Sequence, residues 1–173
     1  MANTYHQIFV HIVFAVSNRR QQKIDADWRE ELYKYIAGAI KNHNHRLIAI
    51  GDVTDHVHIL IGLNPKEAIT DLIQSIKIQS TKWINEKHAR KGNMFSWQRG
   101  YGAFSYSRSH VGQVIKYINN QEAHHREESL STEFQRILKN LGIEFDYNLL
   151  VSGKTFDDFL AISLPDSRCR KRI

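Results

Sequence analysis

The spacing of apolar residues along the chain predicts four strands. Residues 5–16 are apolar almost without interruption, which indicates a central strand covered on both faces. Residues 46–53 and 56–63 are two strand-like segments rich in apolar residues on either side of Thr54 and Asp55, and therefore predict a hairpin. A short fourth strand is expected at residues 102–107.

Apolar residues at helical spacing predict four helices between and after these strands. The first spans residues 27–44, with Asp27 as its cap, and the second spans residues 64–88, with Pro65 in its first turn. The third spans residues 111–125 after a capping Ser109. The fourth spans residues 132–141 and is closed by Gly142.

The order of these elements, strand-helix-strand-strand-helix-strand, is typical of an α+β, ferredoxin-like fold. We therefore expect a four-stranded antiparallel sheet with helices on one face, plus a C-terminal helix that carries Tyr117. The chain contains no internal repeat and no low-complexity linker. Residues 1–150 are predicted to form one domain, and residues 151–173 a basic C-terminal tail.

Charge and composition narrow the class of protein. Lys and Arg outnumber Asp and Glu by 24 to 18, a surplus that permits nucleic-acid binding without establishing it. No segment approaches the roughly 18 apolar residues that cross a bilayer, so no membrane association is expected. The N-terminus lacks a secretory signal, and the single cysteine, Cys169, excludes an internal disulfide. These features predict a cytoplasmic protein.

Two histidines are candidates for a metal site. His56 and His58 occupy positions i and i+2 of a predicted strand, so both side chains project from the same face. Neighbouring imidazoles can fill two ligand positions of a divalent metal ion. Without further context, a hydrogen-bonded structural pair is the commoner explanation.

The predicted helix at residues 111–125 contains a candidate third metal ligand and a candidate nucleophile. Tyr117 and Gln121 are four residues apart and would share one helix face. Gln121 could supply a third metal ligand, with Tyr117 one turn away as a nucleophile. Ligands that are all neutral leave the charge of the metal ion uncompensated, which suits binding of a phosphodiester and attack by a nearby tyrosine.

These residues resemble the HUH single-tyrosine transposases of the insertion-sequence 200/605 class, which are related to the repeat-associated tyrosine transposases. The resemblance rests on His56 and His58 flanking Val57, and on Tyr117 with Gln121 downstream. Further similar segments are residues 95–105, 121–125 and 134–145, and the resemblance covers residues 4–150.

The resemblance implies that His56, His58 and Gln121 ligate Mg²⁺ or Mn²⁺, and that Tyr117 is the nucleophile. It implies a DNA transposase that cleaves and rejoins single-stranded DNA through a 5′-phosphotyrosine and recognises hairpins at the element ends. It also implies a homodimer, in which the tyrosine helix of one subunit can serve the other, in the prokaryotic cytoplasm at the nucleoid.

Six residues are candidates for DNA contacts: Arg19, Arg20, Lys77, Trp97, Arg99 and Arg108. The aromatic loop around Trp97 could stack on exposed bases, but it could equally fill the core or form a dimer interface. For the basic residues, a solvated surface is the default explanation.

Two alternative functions stay open. A non-catalytic module that binds single-stranded nucleic acid would use the same kind of sheet without a metal. An HUH nuclease for replication initiation or repeat processing would share the cleavage step.

Overall fold

The computed structural model describes residues 5–17, 22–88, 94–121 and 130–143. The elements in chain order are β1 (Phe9–Ala15), α1 (Ala26–Asn42), β2 (Arg46–Val53), β3 (His56–Gly62), α2 (Ile69–Lys87), β4 (Gly102–Tyr106), a 3₁₀ turn (Arg108–His110), α3 (Val111–Asn119) and α4 (Leu130–Asn140). The strands form one antiparallel sheet in the order β2-β3-β1-β4. The predicted ferredoxin-like α+β fold is confirmed.

Both faces of the sheet are covered, because every residue of the central strand β1 is buried. On one face, Ile12 and Ile59 pack against α1 and α2, as expected for the two helices of this fold. On the other face, Leu60 packs against α3, and Val13 packs against α4. Burying each large apolar side chain of this kind contributes about 1.5–3 kcal/mol. The histidine pair of β3 therefore lies beneath α3 and α4, opposite α1 and α2.

Two helix starts differ from those predicted. The N-cap of α1 is Asp25, whose carboxylate accepts a hydrogen bond from the backbone N–H of Asp27 at 3.3 Å, so the prediction of Asp27 as the cap was wrong. Helix α2 begins at Ile69, because Asn64 instead forms a turn in which its side-chain oxygen accepts from the N–H of Lys66 at 3.2 Å.

Helix α3 is shorter than predicted. It ends at Asn119, and the N–H of Asn120 bonds to the carbonyl oxygens of both Lys116 and Tyr117, at 3.1 and 3.3 Å. Gln121 lies beyond this end, so it does not share a continuous helix with Tyr117. The helix follows His110 in the 3₁₀ turn, in place of the predicted cap at Ser109.

Helix α4 closes as predicted, with Gly142 in the left-handed conformation at φ +66°. The predicted helical residues 122–125 and the tail at 151–173 lie outside the described residues. Among the helices that the structure describes, none has both the length and the apolar composition needed to cross a membrane.

A polar cluster anchors the loop between β3 and α2, at the Gly62 end of the sheet. The carboxylate of Glu67 lies 2.6 Å from His43 Nδ1 and 2.7 Å from His45 Nε2. Burial raises the pKa of Glu67, but hydrogen bonds to His45 and His43 outweigh this effect and lower it. The cluster fastens this loop to the end of α1 and the start of β2.

Helix α3 lies so close to β2 that it depends on Gly51. A Cβ atom on Gly51 would lie 2.5 Å from the carbonyl oxygen of Ile118. We expect Gly51→Ala to lower the free energy of unfolding by about 1–3 kcal/mol, because the backbone of α3 would have to move. Urea unfolding measures the change.

The control is Gly38→Ala in α1, where an added Cβ meets no atom within 4 Å. It should raise the stability by about 0.5–1 kcal/mol through helix propensity. Similar effects of the two substitutions would contradict the close contact at Gly51.

Candidate active site

Strand β3 places His56 and His58 on the sheet face beneath α3 and α4. Both histidines are fully buried, and their ring centroids lie 4.9 Å apart. The Nε2 atoms of both rings are directed to the same carboxylate, that of Glu133. The expectation that the two side chains project from one face is met, because residues two apart in a strand project together.

Glu133 is the centre of the site, and sequence reasoning missed it. Its Oε1 lies 3.2 Å from His58 Nε2, and its Oε2 lies 3.3 Å from His56 Nε2. Oε1 also accepts hydrogen bonds from the amide nitrogen of Gln121, at 3.1 Å, and from the hydroxyl of Tyr117. The signal in the sequence is a carboxylate on the apolar face of α4, four residues before the buried Ile137.

The charges in this cluster are set by burial and by the carboxylate. Burial raises the pKa of Glu133, but hydrogen bonds to His56 and His58 outweigh it and lower that pKa to about 2. Burial lowers the pKa of His58 to about 4 against the opposing effect of Glu133. For His56, burial is outweighed by hydrogen bonds to Asp55 and Glu133, which raise the pKa. At neutral pH the carboxylate is therefore ionised and His58 is neutral.

A second layer of contacts orients the two histidines. His56 Nδ1 lies 2.7 Å from Asp55 Oδ1, and because a carboxylate only accepts, the Nδ1–H donates. His58 Nδ1 lies 2.9 Å from the Nε2 of His11, its diagonal neighbour on β1. Burial, reinforced by His58, lowers the pKa of His11 well below its usual range. These contacts use both Nδ1 atoms and direct both Nε2 atoms to the site.

Tyr117 and Gln121 both reach the cluster, although α3 ends between them. The ring of Tyr117 lies 5.7 Å from that of His58 and nearly perpendicular to it. Gln121 is 2% exposed, and its Oε1 has no hydrogen-bond partner among the described residues. The structure therefore brings together all four residues that the sequence singled out.

The cluster has the composition of a metal site. One ligand atom from each of His56, His58 and Glu133 lies within 4.8 Å of the others, and all three side chains are buried. Imidazole nitrogen and carboxylate oxygen are common ligands of divalent ions. The role of Gln121 as a ligand stays a prediction.

A cleft of about 200 Å³ opens beside Tyr117, between α3 and α4. Tyr106, Gln113 and Arg136 contribute to its lining. The guanidinium of Arg136 lies 5.5 Å from the centroid of the Tyr117 ring. The cleft thus has a positive charge beside the tyrosine ring.

Two of the predicted DNA contacts have structural roles in the fold. The ammonium of Lys77 donates to three backbone carbonyl oxygens at residues 98–100, at 2.6–3.0 Å. Trp97 is 8% exposed, packs against Phe14, and donates its indole N–H to Ser80 at 2.9 Å. The loop of Trp97 therefore fills the core, which was one of the alternatives considered for it.

The other predicted contacts lie at the surface or outside the described residues. Arg99 is exposed beside α2. Arg108 is also exposed and lines a polar groove of about 720 Å³ together with Arg46 and Lys66. Residues 19 and 20 lie outside the part of the chain that the structure describes. DNA binding by this set remains a prediction.

The chain is similar in sequence to known proteins. Residues 4–121 match the family model of IS200-like transposases. The chain is 25% identical over 124 residues to the ISDra2 transposase TnpA of Deinococcus radiodurans, covering 67% of this chain and 85% of that protein.

Two solved structures share the fold. One, the crystal structure of a Deinococcus radiodurans protein described as a transposase, matches with a TM-score of 0.55 and 21% identity over 70% of this chain and 95% of the other. The other, a REP-associated tyrosine transposase bound to a REP hairpin, matches with a TM-score of 0.54 and 17% identity, over 72% and 73% of the two chains.

The contact between Asp55 and His56 should tune metal binding. We expect Asp55→Asn to weaken binding of Mn²⁺ by about 10–100-fold, because the amide no longer holds the histidine in the orientation and tautomer that direct Nε2 to the site. Isothermal titration calorimetry measures the affinity. Asp71→Asn, which removes an exposed carboxylate from the first turn of α2, should leave it unchanged. Equal affinities for the two variants would refute a role for Asp55.

Proposed function

This chain belongs to the family of IS200-like transposases, and we propose that it cleaves and rejoins single-stranded DNA through a covalent bond to Tyr117. The observation that carries this proposal is the convergence of the Tyr117 hydroxyl and the Nε2 atoms of His56 and His58 on one buried carboxylate. A nucleophile therefore lies beside two potential metal ligands, and Tyr117 also lines the cleft between α3 and α4.

The proposed reaction is a transesterification. The Tyr117 oxygen attacks the phosphorus and forms a new P–O bond, while the bond to the 3′ oxygen breaks. The tyrosine loses its proton, the leaving oxygen gains one, and the products are a 5′-phosphotyrosine and a free 3′-hydroxyl. Because the covalent link is still a phosphodiester, a 3′-hydroxyl can attack it in turn and rejoin the strands without another source of energy.

The residues present fit the divalent ion that the family implies, Mg²⁺ or Mn²⁺. We assign His56, His58 and Gln121 to hold it. The buried Gln121 Oε1, which lacks a hydrogen-bond partner among the described residues, supports this assignment. When bound, the ion supplies positive charge that polarises the phosphate and stabilises the transition state. Asp55 and His11 keep the two imidazoles in the orientation that such binding requires.

The proposed substrate is single-stranded DNA that carries hairpins at the element ends. A REP hairpin is the bound molecule in one structural relative, which supports the class of substrate. Arg136 beside the tyrosine, together with the exposed Arg99 and Arg108, provides positive charge for the phosphate backbone.

The expected homodimer and location in the prokaryotic cytoplasm at the nucleoid remain proposals. The ring centroids of Tyr117 and His58 lie 5.7 Å apart within one chain. Service of the tyrosine helix to a second subunit stays an expectation from the family resemblance.

Of the two alternative functions, a non-catalytic binding module does not require a part-buried tyrosine hydroxyl beside two histidines. An HUH nuclease for replication initiation or repeat processing would use the same residues and the same cleavage step. Such a nuclease differs from a transposase in its substrate, the DNA that flanks the coding region.

The nucleophile can be tested directly. Labelled single-stranded DNA carrying a candidate element end, incubated with the protein and Mg²⁺ or Mn²⁺, should form an adduct that survives denaturing electrophoresis. We expect Tyr117→Phe to abolish the adduct while retaining DNA binding, because only the attacking oxygen is lost.

The matched control is Tyr106→Phe, which removes a hydroxyl from another tyrosine of the same cleft and should retain the adduct. An adduct with Tyr117→Phe would exclude Tyr117 as the nucleophile. An adduct formed by the unaltered chain in excess EDTA would exclude metal dependence.

A further inference from the structure

We propose that Glu133 is an additional, anionic ligand of the same metal ion, and that it holds the Tyr117 hydroxyl beside that ion. This inference rests on the metal site of the proposed function and adds a residue to it. Glu133 lies on α4, twelve residues after the last residue that the family model matches. The candidate metal centre would therefore include a helix outside that matched region.

The distances between the ligand atoms support a shared ion. The two carboxylate oxygens of Glu133 lie 3.2 and 3.3 Å from the Nε2 atoms of His58 and His56. Two ligands bound about 2.1 Å from one ion, at octahedral or tetrahedral angles, lie about 3.0–3.4 Å apart. Each carboxylate oxygen therefore already lies at the separation of neighbouring ligands from one imidazole nitrogen.

Charge compensation gives a reason for a carboxylate at this position. A buried carboxylate is costly unless it is paired and hydrogen-bonded or bound to a metal, and only 3% of the Glu133 side chain is exposed. With His56, His58 and Gln121 alone, the ligands are neutral when the ion is bound. Adding Glu133 reduces the net charge of the centre from +2 to +1 and should strengthen its hold on the ion.

Helix α4 holds Glu133 in place through its neighbour. The ring of Phe134 packs on Phe104 of β4, with ring centroids 5.6 Å apart. It fits there because Gly102 has no side chain: a Cβ on Gly102 would lie 2.8 Å from the Phe134 ring. Glu133 is thus supplied by a helix that is packed on the sheet.

The same carboxylate oxygen links the ligands to the nucleophile. Oε1 faces His58 Nε2 and accepts the hydrogen bond of the Tyr117 hydroxyl. Because Glu133 would be a metal ligand, its hydrogen bond to the hydroxyl would hold the tyrosine oxygen near a bound ion and the phosphodiester that the ion would polarise. Glu133 is in this respect a positioning residue for Tyr117.

The test is direct binding of Mn²⁺ to the full chain, measured by calorimetry and by loss of the free Mn²⁺ signal in electron paramagnetic resonance. We expect the unaltered chain to bind one ion and Glu133→Gln to weaken binding by about 10-fold or more, since the number of charged ligands tunes affinity.

Glu67→Gln is the matched control, because Glu67 also pairs with two histidines but lies at the other end of the sheet. It should leave the affinity for Mn²⁺ unchanged. Equal affinities for the Glu133→Gln variant and the unaltered chain, or tighter binding by the variant, would overturn the proposal, because Glu133 would then be a group that the metal displaces.

A crystal structure of the unaltered chain with Mn²⁺ tests the same point without relying on the variant. We expect anomalous density about 2.0–2.3 Å from a carboxylate oxygen of Glu133. An ion held by the histidines with Glu133 turned away would refute the ligand role and leave the proposed function intact. Absence of any Mn²⁺ binding would refute both the ligand role of Glu133 and the metal site of the proposed function. The adduct assay with Tyr117→Phe tests the covalent reaction separately.

Discussion

A buried carboxylate between two histidine rings is the interaction on which the site depends. Glu133 has almost no contact with solvent, so its charge must be compensated by the groups around it. Two imidazoles, an amide and a phenol provide this compensation. The same interactions bring a nucleophile and candidate metal ligands together, which links the stability of the site to its chemistry.

The sheet serves as a rigid platform for this cluster. The central strands β1 and β3 supply His11, His56 and His58, and both strands lie between helices on either face. Close approach of the covering helices relies on two glycines, Gly51 beneath α3 and Gly102 beneath α4. Small residues in the strands therefore determine how near Tyr117 and Glu133 come to the histidines.

Local patterns anticipated the sheet well and the helix ends less well. Alternation along a strand is set by backbone geometry, so the four strands and the hairpin at residue 54 followed from the sequence. Helix ends depend on competition among nearby hydrogen-bonding groups. The turn at Asn64 and the early end of α3 at Asn119 arise from such competition, which periodicity does not report.

The sequence by itself determined that His56 and His58 share a face, because the two-residue period of a strand leaves no alternative. It also identified Tyr117 and Gln121 as residues of interest, although the continuous helix expected to join them ends before Gln121. Only the tertiary structure brought Glu133 and His11 to this site. Their proximity depends on the packing of α4 and β1 around β3, across 75 and 47 residues of chain from His58, and no local pattern encodes such contacts.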